Sequence, residues 1–490
     1  MTQSTLRCQT SPAQFIAGQW CDGQGEKRIT NTNPFDGSTV TELNAIDRQQ
    51  LDQAVESARR GRETMAELDP ATRRKIMLDA ASWLEEHREA FCTLSAMEAG
   101  STRLKAMLEL DITIGQLLEA SSYPMRMNGT VVQSVTPGKR SQVIREPLGV
   151  VGVISPFNFP LNLSMRSVAA ALATGNSVLL KPDRRTYLTG GLLIAEMFEA
   201  AGLPADGLNV VVGESAMVGE TMTSHPDIAS VSFTGSTQVG QQLSIECAKH
   251  FKKSSMELAG NNPMLVLSDA DVERAAEAAV FGTLMHQGQI CMSVNRLIVS
   301  KPLYQPMVEA LAQRIKQIKA GDPSDENVII GPLIDDKQAG AVIERIEKSV
   351  QAGARLVHGG TRDGNVVAPT LLVDVTGDMP AAAEEMFGPV ITVLEAQDDD
   401  DAVAMANVAD AALVASVFTS AGRDREPLIR KLNAGMVHFN DQTVNDEANT
   451  LFTGLGPSGN GHYNGHWGLE SYTRERWISD QGERYRPFPF

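Results

Sequence analysis

The sequence predicts an α/β protein with two lobes, and two observations support this prediction. Short runs rich in valine, isoleucine and leucine alternate with amphipathic stretches of about 10–15 residues, the pattern of βαβ units on a parallel sheet. The chain has 490 residues, of which 42% are hydrophobic and 21% are charged. It is therefore long enough to bury a large core, and its composition excludes a disordered or fibrous protein.

The predicted elements follow in chain order. Residues 48–120 are mostly helical in pattern. Strands are then predicted, with helices between them, at PLGVVGVIS (147–155), NSVLLK (176–181), NVVVG (209–213), IASVSF (228–233) and PMLVL (263–267). The alternation resumes with the strand NRLIV (295–299), helices over 303–319 and 336–352, and the strands LVASVF (413–418) and MVHF (436–439).

Two segments lie outside this alternation. Residues 130–149 alternate apolar and polar side chains around Pro137-Gly138, which predicts an exposed hairpin. The tail after Glu470 contains a further strand-like run, SYTRERWISD. A hairpin and a terminal strand left over from two lobes indicate a small β arm for homo-oligomerisation; the alternative is that both pack on their parent lobe.

Charge and cysteine content limit the partners and the location. The chain carries 43 basic and 60 acidic residues, a net charge of −17, which disfavours a nucleic-acid partner. No apolar run approaches the roughly 18 residues of a membrane span, and the N-terminus lacks the apolar core of a secretion signal. The five cysteines are sparse and unpatterned, so we expect a reducing, cytoplasmic location.

Three residues are candidates for catalysis. Cys291 lies in HQGQICMS between a helical stretch and a strand, where free amides and positive potential would favour its thiolate as a nucleophile. Glu257 in MELAGNNP would have a raised pKa if buried, which suits a general base. Asn158 in SPFNFP follows a strand and could donate to an oxyanion. Taken singly, Cys291 could equally be a structural buried cysteine, Glu257 a surface glutamate, and Asn158 a turn-forming asparagine.

Glycine-rich segments, one lysine and two histidines are candidates for binding a cofactor or a metal. FTGSTQVG (233–240) follows a strand and opens a helix, so its free amides could bind a pyrophosphate. Lys181 at a strand end could reach a ribose or phosphate, or could extend to the surface. GLGPSG (454–459) matches GxGxxG literally, but it lacks the strand and the helix of that fingerprint and is interpreted as a flexible loop. His462 and His466 lie in a Gly/Asn-rich loop without other ligands, so no metal site is predicted.

The order of these motifs resembles one family. SPFNFP, LLKPD, FTGSTQVG, MELAGNNP, GQICM and EEMFGPV, in that order, are similar to the NAD(P)-dependent aldehyde dehydrogenase superfamily, and the resemblance runs from NPFDG (33–37) to Gly459. It implies a Rossmann-like cofactor domain (1–125 and 148–257), an α/β catalytic domain (258–460), and oligomerisation segments (126–147 and 470–490) that form a homodimer or homotetramer.

The resemblance also implies roles for individual residues. Cys291 would be the nucleophile, Glu257 the general base, and Asn158 with the Cys291 backbone N–H the oxyanion hole. Lys181 would hold the adenosine ribose, Gly235 and Ser236 the pyrophosphate, and Glu385 and Phe387 the nicotinamide riboside. The further residues expected around NAD or NADP are Ile154, Ser155, Pro156, Phe157, Asp183, Arg184, Gly213, Phe233, Val239, Gly240 and Leu258.

Three segments look most like aromatic aldehyde dehydrogenases of the benzaldehyde and vanillin type: HQGQICM, SMRS (164–167) and FNDQTVNDEANTLFTGLGPSGNG (439–461). The residues expected to line the substrate tunnel are Phe159, Leu163, Arg166, Ile290, Met292 and Phe452. Arg166 would meet a ring hydroxyl or carboxylate, or would be held by a structural carboxylate. The alternatives left open are an aliphatic or semialdehyde substrate and a non-catalytic binding protein on the same fold.

Three positions depart from the family pattern. His286 stands where many members have asparagine, and it could perturb Cys291 or simply fill space. Arg184 replaces a ribose-binding glutamate, which removes repulsion toward a 2′-phosphate and makes NADP use credible beside NAD. Ala259 replaces a usual glycine, a change we expect to matter little.

Overall fold

The computed structural model describes residues 6–483 and 488–490. Residues 1–5 and 484–487, which belong to the predicted segments 1–125 and 470–490, lie outside the described residues. Within the described ranges, no helix is long and apolar enough to cross a membrane.

The N-terminal part contains two hairpins and a group of helices. Its elements are α1 (Arg7–Thr10), β1 (Gln14–Ile16), β2 (Gln19–Cys21), β3 (Arg28–Thr32), β4 (Thr39–Asn44), α2 (Arg48–Glu67), α3 (Pro70–Glu86), α4 (Arg88–Ala99), α5 (Arg103–Ala120) and α6 (Tyr123–Arg126). Helices α2 to α5 match the predicted helical region. The carboxylate of Asp47 caps α2, and that of Asp69 caps α3. The hairpins were missed because their strands have only three to six residues, too few to show a clear alternation of apolar and polar side chains.

The first α/β unit follows. Its elements are β5 (Thr130–Val132), β6 (Arg140–Pro147), β7 (Val150–Ile154), α7 (Pro160–Ala173), β8 (Ser177–Lys181), α8 (Leu193–Ala200), β9 (Leu208–Val210), α9 (Ser215–Ser224), β10 (Ile228–Thr234), α10 (Thr237–Lys249) and β11 (Lys253–Glu257). Strand order in the sheet is β11-β10-β7-β8-β9-β1-β2. The five strands from β7 onward are parallel, and the β1–β2 hairpin extends the sheet antiparallel to β9.

A second α/β unit is built from the next part of the chain. Its elements are β12 (Asn262–Val266), α11 (Val272–Leu284), β13 (Val294–Ser300), α12 (Lys301–Ile315), α13 (Asp336–Gln351), β14 (Arg355–His358), β15 (Arg362–Asp363), β16 (Val366–Val367), β17 (Thr370–Val373), α14 (Pro380–Ala383), β18 (Val390–Ala396), α15 (Asp399–Ala406), β19 (Val414–Phe418), α16 (Glu426–Lys431) and β20 (Met436–Phe439). Its main sheet has the order β14-β17-β18-β13-β12-β19-β20, with only β14 antiparallel to its neighbour.

The last part of the chain returns to the first unit. It contains β21 (Phe452–Thr453), β22 (His462–Tyr463), α17 (Gly465–Ser471) and β23 (Thr473–Asp480). Strand β23 pairs antiparallel with β6, which also pairs with β5, so the predicted hairpin and terminal strand form one three-stranded sheet. The chain passes from the first main sheet to the second between Glu257, where β11 ends, and Asn262, where β12 begins. The predicted domain limits stay predictions.

The GLGPSG segment is not the flexible loop that the sequence analysis expected. Ser458 is fully buried, its hydroxyl donates to Ala259 O, and its carbonyl accepts from Leu258 N. Gly459 has φ 114°, and a Cβ there would lie 2.1 Å from Met256 O. The segment is therefore fixed against the end of β11, and its glycines serve this close approach.

Candidate active site

The carboxyl ends of three neighbouring parallel strands bring the predicted motifs together. In the sheet, Ile154 at the end of β7 pairs with Phe233 of β10, and Thr234 pairs with Glu257 at the end of β11. The loop after β7 carries Asn158, and ligands gather at such strand ends in α/β sheets. The fold thus places residues that are about a hundred positions apart along one edge.

Two cavities meet at this edge. The first, of about 270 Å³, is lined by Pro156, Phe157, Asn158, Leu163, Thr234, Gly235, Ser236, Glu257, Leu258, Ala259, Cys291, Gln338, Arg345, Glu385 and Phe387. The second, of about 260 Å³, is lined by Leu108, Ile112, Asn158, Phe159, Asn162, Leu163, Arg166, Phe281, Ile290, Cys291, Met292, Gln442, Val444, Asn445 and Asp446. They share Asn158, Leu163 and Cys291, so Cys291 is accessible from both.

The turn that carries Cys291 is held from several sides. It follows a short 3-10 turn in which His286 and Gln287 have positive φ, and it leads into β13. Asn262 Nδ2 donates to Cys291 O at 2.7 Å, and Gln287 Nε2 donates to Gly100 O at 3.0 Å. The backbone of Cys291 is therefore fixed by contacts outside its own loop.

The thiol of Cys291 is not favoured as a thiolate, which corrects the expectation from the sequence. Burial, and next the Glu257 carboxylate, raise the pKa of Cys291 well above its ordinary value; Arg166 acts in the opposite direction. The motif alone indicated free amides and positive potential, whereas in the folded chain burial and then an acid act on the thiol. The Cys291 side chain therefore rests as a thiol, and ionising it requires a proton acceptor.

Glu257 can be that acceptor. It is 2% exposed, and burial raises its pKa to about 7, with Arg166 and then the Cys291 thiol acting in the lowering direction. Among the described residues, neither of its carboxylate oxygens accepts a hydrogen bond from a nitrogen or oxygen donor. A carboxylate with free lone pairs and a pKa near neutrality is suited to general-base work.

Asn158 lies across the same junction. It is 4% exposed, and its Nδ2 donates to Gln289 O at 2.8 Å. An amide nitrogen carries two hydrogens, so one donor remains for another acceptor. Since Asn158 lines both cavities beside Cys291, this donor suits an oxygen bound to the carbon that the thiol attacks.

The first cavity has the features of a dinucleotide site. Helix α10 begins at Thr237, and the Ser236 side chain makes no capping bond, so the first-turn amides remain available for an anion. A Cβ at Gly235 would lie 2.5 Å from the Phe233 ring, and one at Gly240 would lie 2.2 Å from Leu258. Burial raises the pKa of Glu385 to about 8, and its Oε1 accepts from Gly260 N at 3.3 Å.

A third cavity, the basic cavity, lies near the ends of β8 and β9. Of about 650 Å³, it is lined by Lys27, Arg28, Ile29, Thr30, Thr32, Ala45, Arg184, Arg185, Gly213, Glu214, Ser215, Ala216, Ile334 and Asp335. Of its four basic side chains, Lys27 pairs with Glu214, Arg28 with Glu42, and Arg185 with Asp183 and Asp335. Among the described residues, only Arg184 of the four has no ion pair, and a guanidinium of this kind suits a phosphate. Lys181, at the end of β8, is buried, and burial lowers its pKa.

Several predicted cofactor residues lie behind these walls. Ile154 and Phe233 pack under Leu258, and Ser155 accepts a hydrogen bond from Ser164. The Asp183 carboxylate accepts from Arg185, so it positions that arginine and does not line the basic cavity itself. Val239 is exposed on α10.

The predicted substrate residues divide in the same way. Five of the six line the second cavity: Phe159, Leu163, Arg166, Ile290 and Met292. Phe452 does not line it, because the Arg166 guanidinium lies 3.9 Å from its ring centroid and covers it. Arg166 is paired with Asp446 at 2.8 Å, so the structural carboxylate considered for it exists.

Two other expectations concern histidines. His286 is 1% exposed, its ring packs edge-on against Phe159, and burial followed by the Lys105 ammonium lowers its pKa well below the ordinary value. It is therefore an uncharged side chain packed beside the turn that carries Cys291. In the part of the chain that the structure describes, no group of three or more His, Cys, Asp or Glu could hold a metal ion.

Sequence reasoning missed residues that reach the site from distant elements. These are Leu108 and Ile112 of α5, Asn162 of α7, Phe281 of α11, Gln338 and Arg345 of α13, and Gln442, Val444, Asn445 and Asp446 after β20. The four residues after β20 had a usable signal, since they lie in the segment 439–461 already compared with the aromatic enzymes.

Comparison with known proteins agrees with this geometry. Residues 20–478 match the aldehyde dehydrogenase family. A benzaldehyde dehydrogenase of Bacillus subtilis (strain 168) is 42% identical over 477 residues, covering 97% of this chain and 98% of that protein. A vanillin dehydrogenase of Corynebacterium glutamicum is 42% identical, with 95% and 96% covered.

Solved structures give the same result. The crystal structure of an NAD-dependent benzaldehyde dehydrogenase from Corynebacterium glutamicum superposes with a TM-score of 0.87 at 39% identity, covering 96% of this chain and 98% of that one. The predicted fold class and the predicted resemblance are confirmed. The chain belongs to the aldehyde dehydrogenase family, and it is an aldehyde oxidoreductase of that family.

Proposed function

We propose that this chain oxidises aromatic aldehydes of the benzaldehyde type to carboxylic acids, with NAD or NADP as the hydride acceptor. One observation carries the proposal: Cys291 is reached from two cavities, one with dinucleotide-binding features and one with a mostly apolar wall. The names of the relatives support the aromatic substrate. Phe159 and Leu163 offer the flat apolar contacts that an aromatic ring prefers.

The first chemical step uses the Glu257 carboxylate and the Cys291 thiol, where the two cavities meet. Glu257 takes the proton of the Cys291 thiol, and the thiolate sulfur bonds to the aldehyde carbon. The carbonyl oxygen becomes an alkoxide, which accepts hydrogen bonds from Asn158 Nδ2 and the Cys291 backbone N–H. Such donors act most strongly in a buried site, where removing one costs roughly 10²–10³ in rate.

The residues present fit a nicotinamide dinucleotide. We assign the pyrophosphate to Gly235, Ser236 and the start of α10, and the nicotinamide riboside to Glu385 and Phe387. When bound, the nicotinamide accepts a hydride, and the carbon on Cys291 is then at the oxidation level of a thioester. Once Glu257 has released the proton of the thiol to solvent, it takes a proton from water, whose oxygen attacks that carbon. The carbon–sulfur bond then breaks, the Cys291 sulfur leaves as a thiolate, and the carboxylic acid is released.

The basic cavity supports the use of NADP beside NAD. Arg184 lines it and, unlike Lys27, Arg28 and Arg185, has no ion pair among the described residues. Replacing Arg184 by Gln is expected to reduce kcat/KM with NADP roughly 5- to 10-fold more than with NAD, the value of about 1 kcal/mol for one charged contact. Equal losses with both nucleotides would contradict this assignment.

The remaining alternatives receive less support. An aliphatic semialdehyde would place its distal carboxylate at Arg166, but Asp446 already pairs with that guanidinium. A non-catalytic protein would not need Cys291 and Glu257 in one cavity. The homo-oligomeric state and the cytoplasmic location stay predictions; exposed Val131, Val132 and Trp477 on the three-stranded sheet support an assembly surface.

The test is nicotinamide reduction by the purified chain with benzaldehyde, vanillin, hexanal and succinic semialdehyde, each with NAD and with NADP. We expect kcat/KM to be highest for the two aromatic aldehydes. A preference for hexanal or the semialdehyde would remove the aromatic assignment and leave the mechanism. No reduction with any of them would contradict the proposed function.

A further inference from the structure

A buried ion pair on α5 has no part in the proposed chemistry. Lys105 and Glu109 lie one turn apart, both side chains are 0% exposed, and the Lys105 ammonium donates to Glu109 Oε2. Neither is among the described residues that line the two cavities at Cys291. Removing two charges from water costs about as much as their attraction returns, so stability alone does not account for the pair.

Glu109 caps a helix to which it does not belong. Helix α7 begins at Pro160, and Phe159 in its N-cap position makes no side-chain capping bond. Glu109 Oε1 instead accepts from Leu161 N at 2.9 Å and from Asn162 N at 3.2 Å, the amides of the second and third residues of α7. These are the amides that an N-cap side chain ordinarily satisfies, and the helix dipole also favours a carboxylate there.

Lys105 contacts the residue just before this helix. Its Nζ lies 4.5 Å from the centroid of the Phe159 ring, a cation–π contact, and it also supplies the counter-charge of the Glu109 carboxylate. Phe159 lines the second cavity and directly follows Asn158. The pair therefore holds the segment after Asn158 at two places, the Phe159 ring and the start of α7.

The position of Asn158 depends on this segment. Only Phe159 and Pro160 separate Asn158 from the two capped amides, and the ring of Pro160 fixes its own φ and restricts the residue before it. With the start of α7 held, few backbone torsions remain through which Asn158 could move. Its Nδ2, which lies 2.8 Å from Gln289 O, is thereby kept where the two cavities meet.

We propose that Glu109 and Lys105 are positioning residues for the oxyanion hole, which act on the reaction through Asn158 by fixing the start of α7. The inference rests on the proposed function, in which Asn158 Nδ2 donates to the alkoxide. It requires no contact of either residue with the substrate or the cofactor. A misplacement of about 1 Å can cost roughly 10²-fold in rate, so loss of the cap should be measurable.

The test is a double-mutant cycle between Glu109→Ala and Asn158→Ala, measured as kcat/KM for benzaldehyde at saturating NAD. Asn158→Ala alone should lower kcat/KM by roughly 10²–10³-fold, and Glu109→Ala alone by about 10- to 100-fold. In the Asn158→Ala background, Glu109→Ala should cost no more than about threefold, because the donor that it positions is already gone. Losses that multiply in the double variant would overturn the inference.

Glu98 provides the matched control for a loss of structure. It is also a fully buried carboxylate that accepts from two successive backbone amides at the start of a helical turn, Leu188 N and Thr189 N. Glu98→Ala should change kcat/KM by the same factor with and without Asn158, since it lies outside both cavities at Cys291. Equal coupling of Glu98 and Glu109 to Asn158 would indicate a general structural effect and overturn the inference.

A second pair of variants decides the question if Glu109→Ala does not fold. In Glu109→Gln, the Lys105 ammonium attracts the amide oxygen, so the amide N–H group faces the α7 amides and the cap is lost. Adding Lys105→Met frees the amide to turn its oxygen toward α7. We expect kcat/KM to fall about tenfold in Glu109→Gln and to return within about threefold of the unmodified chain in the double variant. A double variant no faster than Glu109→Gln would overturn the inference.

The outcomes separate this inference from the proposed function. If Asn158→Ala lowers kcat/KM and the loss from Glu109→Ala multiplies with it, the inference fails and the proposed function stands. If Asn158→Ala leaves kcat/KM unchanged, the oxyanion assignment of Asn158 fails and the inference with it, although aldehyde oxidation stands. Absence of oxidation by the unmodified chain with every aldehyde would overturn both.

Discussion

Two buried glutamates, Glu98 on α4 and Glu257 at the end of β11, have the same pKa direction and opposite surroundings. Burial raises the pKa of both Glu98 and Glu257 to about 7. Glu98 accepts hydrogen bonds from Leu188 N at 2.7 Å, from the backbone and hydroxyl of Thr189, and from Asn31. Glu257 accepts none from a nitrogen or oxygen donor of the described chain.

Hydrogen bonding, and not the pKa, distinguishes a candidate base from a structural glutamate. A raised pKa reports burial, and Glu98, which has a structural role, shares it with Glu257. Free lone pairs beside a thiol and an open cavity distinguish Glu257. The carboxylate of Glu98 is occupied in holding α4 to the turn before α8, whereas that of Glu257 is left to accept a proton.

The largest expected effect comes from removing the thiol beside Glu257. Cys291→Ala should lower kcat by roughly 10⁴-fold or more, because no covalent adduct can form. Steady-state reduction of the nicotinamide measures it. The matched control is Cys21→Ala, since Cys21 is also a free, partly exposed cysteine but lies on β2; an equal loss in both variants would contradict the assignment of the nucleophile.

The pH dependence of activity should follow Glu257 and not Glu98. Glu257 must be ionised to accept a proton, and its pKa is about 7, so kcat/KM should rise with pH by about tenfold between pH 6 and pH 8. Glu98→Gln should keep this rise, because Glu98 touches neither cavity that contains Cys291. A kcat/KM that does not change between pH 6 and pH 8 in the unmodified chain would contradict the assignment of Glu257 as the base.

Stability gives the smallest effect, and its size should differ between the two glutamates. The folded pKa of Glu257 is raised from 4.5 to about 7, so the folded state binds the extra proton and stability falls as the pH rises through that window. Glu257→Gln should therefore raise the free energy of unfolding above pH 7, by up to about 3 kcal/mol.

Glu98→Gln is the matched control for that measurement. The same linkage acts on Glu98, whose folded pKa is also about 7, so the loss of its charge should also raise the free energy of unfolding at pH 8. The amide, however, leaves the backbone donors of Leu188 and Thr189 facing an N–H group, so the gain should be about 1–3 kcal/mol smaller than for Glu257→Gln. Denaturant unfolding of the two variants and the unmodified chain at pH 5 and pH 8 separates the effects. Equal gains for both variants at pH 8 would contradict the distinction between a bonded and an unbonded glutamate.

The sequence predicted the parts of the site that lie within continuous motifs. Asn158, Glu257 and Cys291 each follow or precede a strand whose pattern is plain, and the parallel arrangement brings strand ends together. The main α/β alternation was predictable for the same reason. The order of motifs carried the family, which no single motif could have done.

What was missed depends on burial and on long-range packing. The thiolate expectation for Cys291 was wrong because burial of the thiol, and next the carboxylate of Glu257, raise its pKa, and neither can be predicted from the local motif. Phe452 was placed in the wall because nothing local shows that Arg166 covers it. The β1–β2 hairpin joins β9, from which it is separated by most of the first α/β unit.

The most direct test of the account is to trap the intermediate in Glu257→Gln. This variant should still reduce the nicotinamide once when the Cys291 thiolate is supplied by high pH, and then stop, because no base activates water. The account predicts a burst of about one reduced nicotinamide per active site, together with a benzoyl group on Cys291 in the intact-protein mass spectrum. Multiple turnovers without an acyl adduct would contradict the role of Glu257 as the unpaired base.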